Sequence, residues 1–195
     1  MISFGAKRIN SVDVAKGYSN NNIIKNNVAF VELSPKSKFD LATLAVTSTL
    51  WGGHSNSAEN LSKNILDEFT KAKNDILLGK KDVNFYALTT QKRNYKYLNP
   101  FQILGLVEVA SYYHNVSSEF INNIQTAPKF FRGKFGLIGK GMLNCLKKIF
   151  ETKDLELEST RSAVDFYTRN GFEMLSSENK GLTIPMKYKV IKRLT

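Results

Sequence analysis

Residues 136–172 read GLIGKGMLNCLKKIFETKDLELESTRSAVDFYTRNGF, and most of what the chain discloses lies in them. The stretch opens on a glycine-rich turn, Gly136-Leu137-Ile138-Gly139-Lys140-Gly141, after which Met142, Leu143, Leu146, Ile149 and Phe150 recur at helical spacing. Leu155-Glu156-Leu157-Glu158 then alternates as a half-buried strand does. Ser159 or Thr160 is placed to cap a second, short helix, expected to end at Asn170-Gly171, where a left-handed residue costs little. A glycine-rich turn that opens a helix suits an anion. Missing side chains let a ligand reach the backbone, and unpaired N–H groups point forward along the helix dipole. Lys134, Lys140 and Arg132 add countercharge nearby. The turn lacks the Lys-Ser or Lys-Thr pair of a Walker loop, and no acidic ribose ligand follows at the Rossmann interval. Its plain alternative is a structural turn.

Upstream, Val28-Ala29-Phe30-Val31-Glu32-Leu33 has strand composition and Ser34-Pro35 ends it. Residues 40–51 read as a helix closed by Gly52-Gly53. A second helix, with Ser57 as cap, places Leu61, Ile65, Phe69, Ala72 and Ile76 on one core-facing stripe. Strand-like runs at 83–88, 103–109 and 119–126 come next, the last stopped by Pro128, with Asn122 and Asn123 lowering its propensity. Residues 172–175 and 182–191 finish the chain as strands. The order predicts an α+β fold, a mixed sheet with helices on its faces.

Composition bounds the rest. A chain of 195 residues, 42% of them hydrophobic, suits one core. It has no run of about 18 apolar residues, and the start lacks the apolar centre of a secretory leader; a cytoplasmic protein is expected. One cysteine, Cys145, and two histidines, His54 and His114, offer no zinc-ligand cluster, so no metal is expected. Cys145 reads as a small buried hydrophobe and Trp51 as core. The formal charge of +11 is concentrated in residues 129–153, where seven basic residues face only Glu151. Such charge draws polyphosphate cofactors, nucleic acid and acidic surfaces alike.

Within residues 163–172 the pattern A-x-x-F-Y-x-x-x-G-F resembles the helix-to-strand signature of GNAT acetyltransferases. The glycine turn is similar to that family's Q/R-x-x-G-x-G/A loop, with Gly139 and Gly141 at the last two fixed positions. Gly136 stands where Gln or Arg is usual, and Thr160 where Asn is frequent. The resemblance covers residues 101–190 by motif and reaches residue 28 by element order. It implies a central, mostly antiparallel mixed sheet flanked by about four helices over residues 28–195; residues 1–27 lie outside it and are expected, from their asparagines, to be an N-terminal extension. It further implies transfer of an acetyl group from acetyl-CoA to a primary amine by direct attack. Lys134, Gly136, Leu137, Ile138, Gly139, Lys140, Gly141 and Met142 would hold the cofactor's phosphates. Ile124 and Thr126 would offer strand backbone to its pantetheine arm.

Tyr167 has a rationale of its own: a phenol near the sulfur can protonate the departing thiolate. Its alternative is an aromatic packed beside Phe166. An ammonium acceptor must lose a proton, and Glu119, Glu108 and His114 are the candidates to take it. Glu119 begins the strand leading to the glycine turn, a place resembling that of the catalytic glutamate in some histone-type members. Two other functions fit the residues. One is a degenerate CoA-binding or interaction protein without turnover. The other is a nucleic-acid-binding module, suggested by the charge and by the loop at 91–97, where Tyr95 and Tyr97 lie among Lys92, Arg93 and Lys96. The acceptor, protein or small molecule, is not legible.

Overall fold

The computed structural model describes residues 5–19, 22–53, 61–78, 82–111, 117–175 and 182–190. The strand expected at 28–33 is the second half of a longer β2 (Asn22–Leu33), which pairs antiparallel with β1 (Lys7–Ser19), from Lys7↔Glu32 to Ser19↔Asn22. Residues 7–19 and 22–27, read from composition as part of an extension, therefore belong to the sheet. Val14 and Ala15 are the buried residues that tie β1 down. Helix α1 (Lys38–Gly52) is capped by Ser37, whose Oγ accepts from the Asp40 N–H at 3.2 Å. In α2 (Leu61–Leu78), Ile65, Phe69 and Ala72 of the expected stripe are buried; its expected cap, Ser57, lies outside the described residues.

Strands β3 (Asp82–Thr89), β4 (Ile103–Ser111) and β5 (Ser118–Thr126) continue the antiparallel ladder. After the one-turn α3 (Lys129–Arg132) comes α4 (Ile138–Ile149), then β6 (Asp154–Thr160), α5 (Val164–Arg169), β7 (Glu173–Met174) and β8 (Thr183–Tyr188). The eight strands form one sheet in the order β1-β2-β3-β4-β5-β6-β8-β7, with β5 and β6 its parallel pair. Helix α5 ends as expected: Gly171 takes φ +82°, and the Phe172 N–H returns to the Tyr167 carbonyl at 3.1 Å.

Each face of the sheet carries a core. On one, Val107, Val109 and Ile121 pack with Met142, Leu143 and Leu146 of α4 and with Tyr167. On the other, Phe85, Ala87 and Leu106 pack with Leu44 and Trp51 of α1 and with Ile65 and Phe69 of α2. No described helix is long and apolar enough to cross a membrane.

Two irregularities in β5 open the sheet. Its register against β4 slips between Ile121, opposite Val109, and Asn123, opposite Glu108, so Asn122 is an extra residue, a bulge. Its pairing with β6 runs from Ser118↔Asp154 only to Ile121↔Leu157. From the bulge onward the two strands part, leaving a gap between residues 122–126 and 158–160.

Candidate active site

The opening between β5 and β6 is continued by a cleft of about 430 Å³ on the α4 face. Ile124 and Thr126 form its β5 wall, Leu137, Ile138, Gly139 and Lys140 the start of α4, Phe166 and Tyr167 its far side, and Arg132 its rim. Helix α4 begins without a side-chain cap: Leu137 at the N-cap position is left-handed, φ 56°, and no side chain bonds the first turn. The leading N–H groups of a twelve-residue helix are thus presented to the cleft with the positive end of its dipole. Lys140 is exposed beside them, and Arg132 is fixed by a bond from its Nη1 to the Phe135 carbonyl at 3.3 Å. Such a constellation fits a polyanion with an apolar tail.

Tyr167 is buried, with its ring edge-on to Phe166 at 5.1 Å and to Phe172 at 5.7 Å. Burial pushes the phenol up to about 12, so it remains a proton donor at neutral pH. Among the described residues its hydroxyl has no hydrogen-bond partner.

The glycine turn divides into residues that reach the cleft and residues that do not. A Cβ on Gly139 would stand 2.9 Å from Phe166 Cζ, so this glycine lets α5 close over the start of α4. Gly141 faces away, where a Cβ would stand 3.2 and 3.3 Å from Cγ1 of Val14 and Val12 on β1. Gly136 exchanges both backbone bonds with Ala15 at 2.8 and 3.1 Å, which occupies its N–H. Met142 is fully buried in the core and Lys134 is exposed away from the cleft lining. Of the expected cofactor residues, then, Ile124, Thr126, Leu137, Ile138, Gly139, Lys140 and Tyr167 line the cleft, whereas Lys134, Gly136, Gly141 and Met142 lie outside its lining, at packing or surface positions. Phe166 is the lining residue that sequence reasoning misses.

The candidate bases separate as well. Glu108 is fully buried on the α1–α2 face, where its two oxygens accept from Asn122 Nδ2 and Asn123 Nδ2, each at 2.6 Å. The bulge explains the clamp, since consecutive residues of a regular strand point to opposite faces. Glu108, Asn122 and Asn123 floor a cavity of about 440 Å³ walled by Asn64, Asp67, Glu68 and Lys71 of α2. Asn123 and Ile124 are neighbours in sequence, so β5 alone separates this cavity from the Tyr167 cleft. Glu119 lies five residues before Ile124, about 16 Å along an extended strand. There it accepts from Ser111 Oγ at 2.6 Å and pairs with Lys153, a buried anchor rather than a group at the cleft. His114 lies outside the described residues. Cys145 is buried, its thiol pushed up to about 11 by desolvation, which leaves it unreactive. Trp51 is buried in the core.

No family model matches the chain, and no curated protein matches it significantly. Solved structures do match. The PaiA N-acetyltransferase of Thermoplasma acidophilum, in complex with coenzyme A, is 19% identical over 83% of this chain and 98% of its own, with a TM-score of 0.53. An acetyltransferase of the GNAT family from Staphylococcus aureus is 14% identical over 84% and 99%, with a TM-score of 0.53. Escherichia coli ElaA is 15% identical over 83% and 99%, with a TM-score of 0.52. The fold of this chain is that of the GNAT acyl-CoA N-acyltransferases, reached with a divergent sequence.

Proposed function

We propose that the chain transfers an acetyl group from acetyl-CoA to a primary amine, by direct attack within a ternary complex. One observation carries the reading. An uncapped helix start flanked by Arg132 and Lys140 shares a cleft with a protonated phenol that no described residue hydrogen-bonds. A fold alone does not establish an activity, and it is the site that supports this one.

Acetyl-CoA would supply the acyl thioester; the chain would position it and move the protons. The N–H groups of Ile138, Gly139 and Lys140, with Arg132, would take the pyrophosphate. The β5 backbone at Ile124 and Thr126, freed from β6, is open to the pantetheine arm, and one N–H donor to the developing oxyanion is worth about 3 kcal/mol. As the amine nitrogen bonds to the carbonyl carbon and the carbon–sulfur bond breaks, Tyr167 donates its proton to sulfur. Glu108 takes the proton that the amine releases, across the opening beside β5. Asp67 and Glu68 on the cavity wall, the latter paired with Lys71 at 2.7 Å, favour an ammonium there.

The test is calorimetric titration with acetyl-CoA, joined to thiol release over a panel of amines. Wild-type protein should bind, and Gly139→Glu, which sets a carboxylate and a clashing side chain at the helix start, should not. Failure of the wild type to bind acetyl-CoA would overturn the reading. A second reading, CoA binding without turnover, draws on the amide clamp that already satisfies both Glu108 oxygens. Tight binding with no thiol release from any amine supports it.

A further inference from the structure

Two stretches of the chain hold no acidic residue. Residues 83–107 contain Lys92, Arg93 and Lys96, and residues 120–150 contain six cations, Lys129 and Arg132 among them, without one Asp or Glu. The fold brings them together at one end of the sheet: the Ala127 N–H donates to the Leu104 carbonyl at 2.8 Å, and the rings of Phe101 and Phe131 stand 6.4 Å apart. At this junction Phe130 at 75% exposure and Phe101 at 63% face solvent, and in the same loop as Phe101 the Tyr97 ring is 54% exposed beside Phe39. Core packing does not account for them. Rings displayed in a group are a recognition surface more often than an accident.

The loop that carries the cations is preorganised. Gln91 Nε2 lies within bonding distance of the carbonyls of Arg93, Asn94 and Tyr97, at 2.7, 2.9 and 3.0 Å, while its Oε1 accepts from the Asn99 N–H at 2.8 Å. Around this one side chain the backbone turns, with Asn94 left-handed. Tyr97 meets Phe39 at 4.6 Å, and Lys38 and Lys96 lie over the Phe39 ring at 5.5 and 5.8 Å. The loop sits on the α1–α2 face, where Leu98 is buried in the core, so its cations lie away from the residues that line the Tyr167 cleft.

We propose that this surface, the loop at 91–102 with Lys129, Phe130 and Phe131 of α3, binds single-stranded nucleic acid. Flat exposed rings match the faces of unpaired bases, and cations interleaved with them match the phosphates between. An acidic protein would satisfy the charge but leave the rings without planar partners. The proposal stands independently of acyl transfer.

The experiment is fluorescence anisotropy of labelled single strands of about 12 nucleotides, RNA and DNA, between about 50 and 300 mM salt. Wild-type protein should bind with a steep salt dependence. Phe130→Ala and Phe101→Ala should each weaken binding about tenfold at fixed salt without changing its slope, and Phe130→Tyr should restore it. Arg93→Glu should flatten the slope by about 0.7, and Lys63→Glu, on the exposed side of α2, should leave it unchanged. Thermal melts confirm that each variant folds. The proposal fails if wild-type protein does not bind at the lowest salt, or if removing the rings has no effect. Displacement by saturating acetyl-CoA would also overturn it, since the surface would then be the cofactor's own. So would equal competition by a polyglutamate peptide with the same residue dependence, which would indicate an acidic protein partner.

Discussion

Replacing Tyr167 by Phe separates the phenol's chemistry from its packing. The contacts that hold the ring, Phe166 at 5.1 Å and Phe172 at 5.7 Å, are ones phenylalanine keeps. No hydrogen bond to a described residue is lost. Stability should therefore change by less than about 0.5 kcal/mol, a melting shift of about 1–2 °C in a domain of this size. Acetyl-CoA affinity should change less than about twofold, because in the proposed mode the phosphates would be taken by α4 and Arg132 rather than by the hydroxyl. The turnover number should fall by about 10²- to 10⁴-fold, equivalent to about 3–5 kcal/mol of transition-state stabilisation. Stopped thiol-release kinetics with the best amine of the panel, calorimetry and a thermal melt make the three readings. Since burial holds the phenol near 12, wild-type turnover should show no loss attributable to this group up to about pH 10. A Tyr167→Phe turnover number within about threefold of wild type would defeat this assignment and return the residue to a packing role.

Glu108→Gln should lower kcat/KM by about 10²- to 10³-fold with acetyl-CoA binding intact; an unchanged kcat/KM would move the base elsewhere. Gly141→Leu should cost about 1–3 kcal/mol in denaturant titration, because its side chain must enter the contact with Val12 and Val14, whereas Gly136→Ala, whose Cβ would stand 3.8 Å from that of Ala15, should be silent in stability and in cofactor binding. Asp40, buried and pushed up to about 6, binds its proton more tightly in the folded chain than in the unfolded one. Its contribution should be fully present below about pH 4 and lost as pH rises through about 6, a decline on the order of 3 kcal/mol that Asp40→Asn should abolish in melts across that window.

What the sequence discloses is what local spacing encodes. Helix α5, its end at Gly171 and the inward place of Tyr167 depend on residues within one turn of one another, and the start of α4 is written in closely spaced glycines. Contacts across the sheet are not legible. Gly141 reads as a ligand clamp because a glycine marks close approach without naming what approaches, and here it is Val12 and Val14 of β1. That strand itself is hidden by Lys7, Arg8, Asn10, Asp13 and Lys16, since an edge strand needs few buried residues and Val14 and Ala15 suffice. Glu119 and Glu108 are equal as isolated carboxylates; only the register that sets Lys153 beside one and two asparagines beside the other separates them. Phe166 reads as core in any helix pattern, and its place in the cleft depends on the absent side chain of Gly139.

Asn122 and Asn123, weak residues for a strand, are where the site originates. The β5–β6 ladder ends at Ile121↔Leu157, one residue before the extra Asn122, and a bulge sharpens the twist of the strand that carries it. The bulge is then the cause of the parting, and deletion of Asn122 tests this. The deletion joins Ile121 to Asn123 and leaves Val109↔Ile121, Glu108↔Asn123 and Val107↔Ile124 in regular alternation, so the β4–β5 ladder and the faces of residues 123–126 are preserved. Without the added twist, residues 123–126 are free to continue along 158–160, closing the opening. Acetyl-CoA affinity should fall at least about tenfold, and amide exchange in both segments should slow as new ladder bonds form. Asn122→Ala is the control, because it removes the same side-chain donor to Glu108 but keeps the extra residue, and it should bind acetyl-CoA as wild type does. If the deletion binds normally, or the alanine variant loses binding equally, the bulge is not what holds the sheet open.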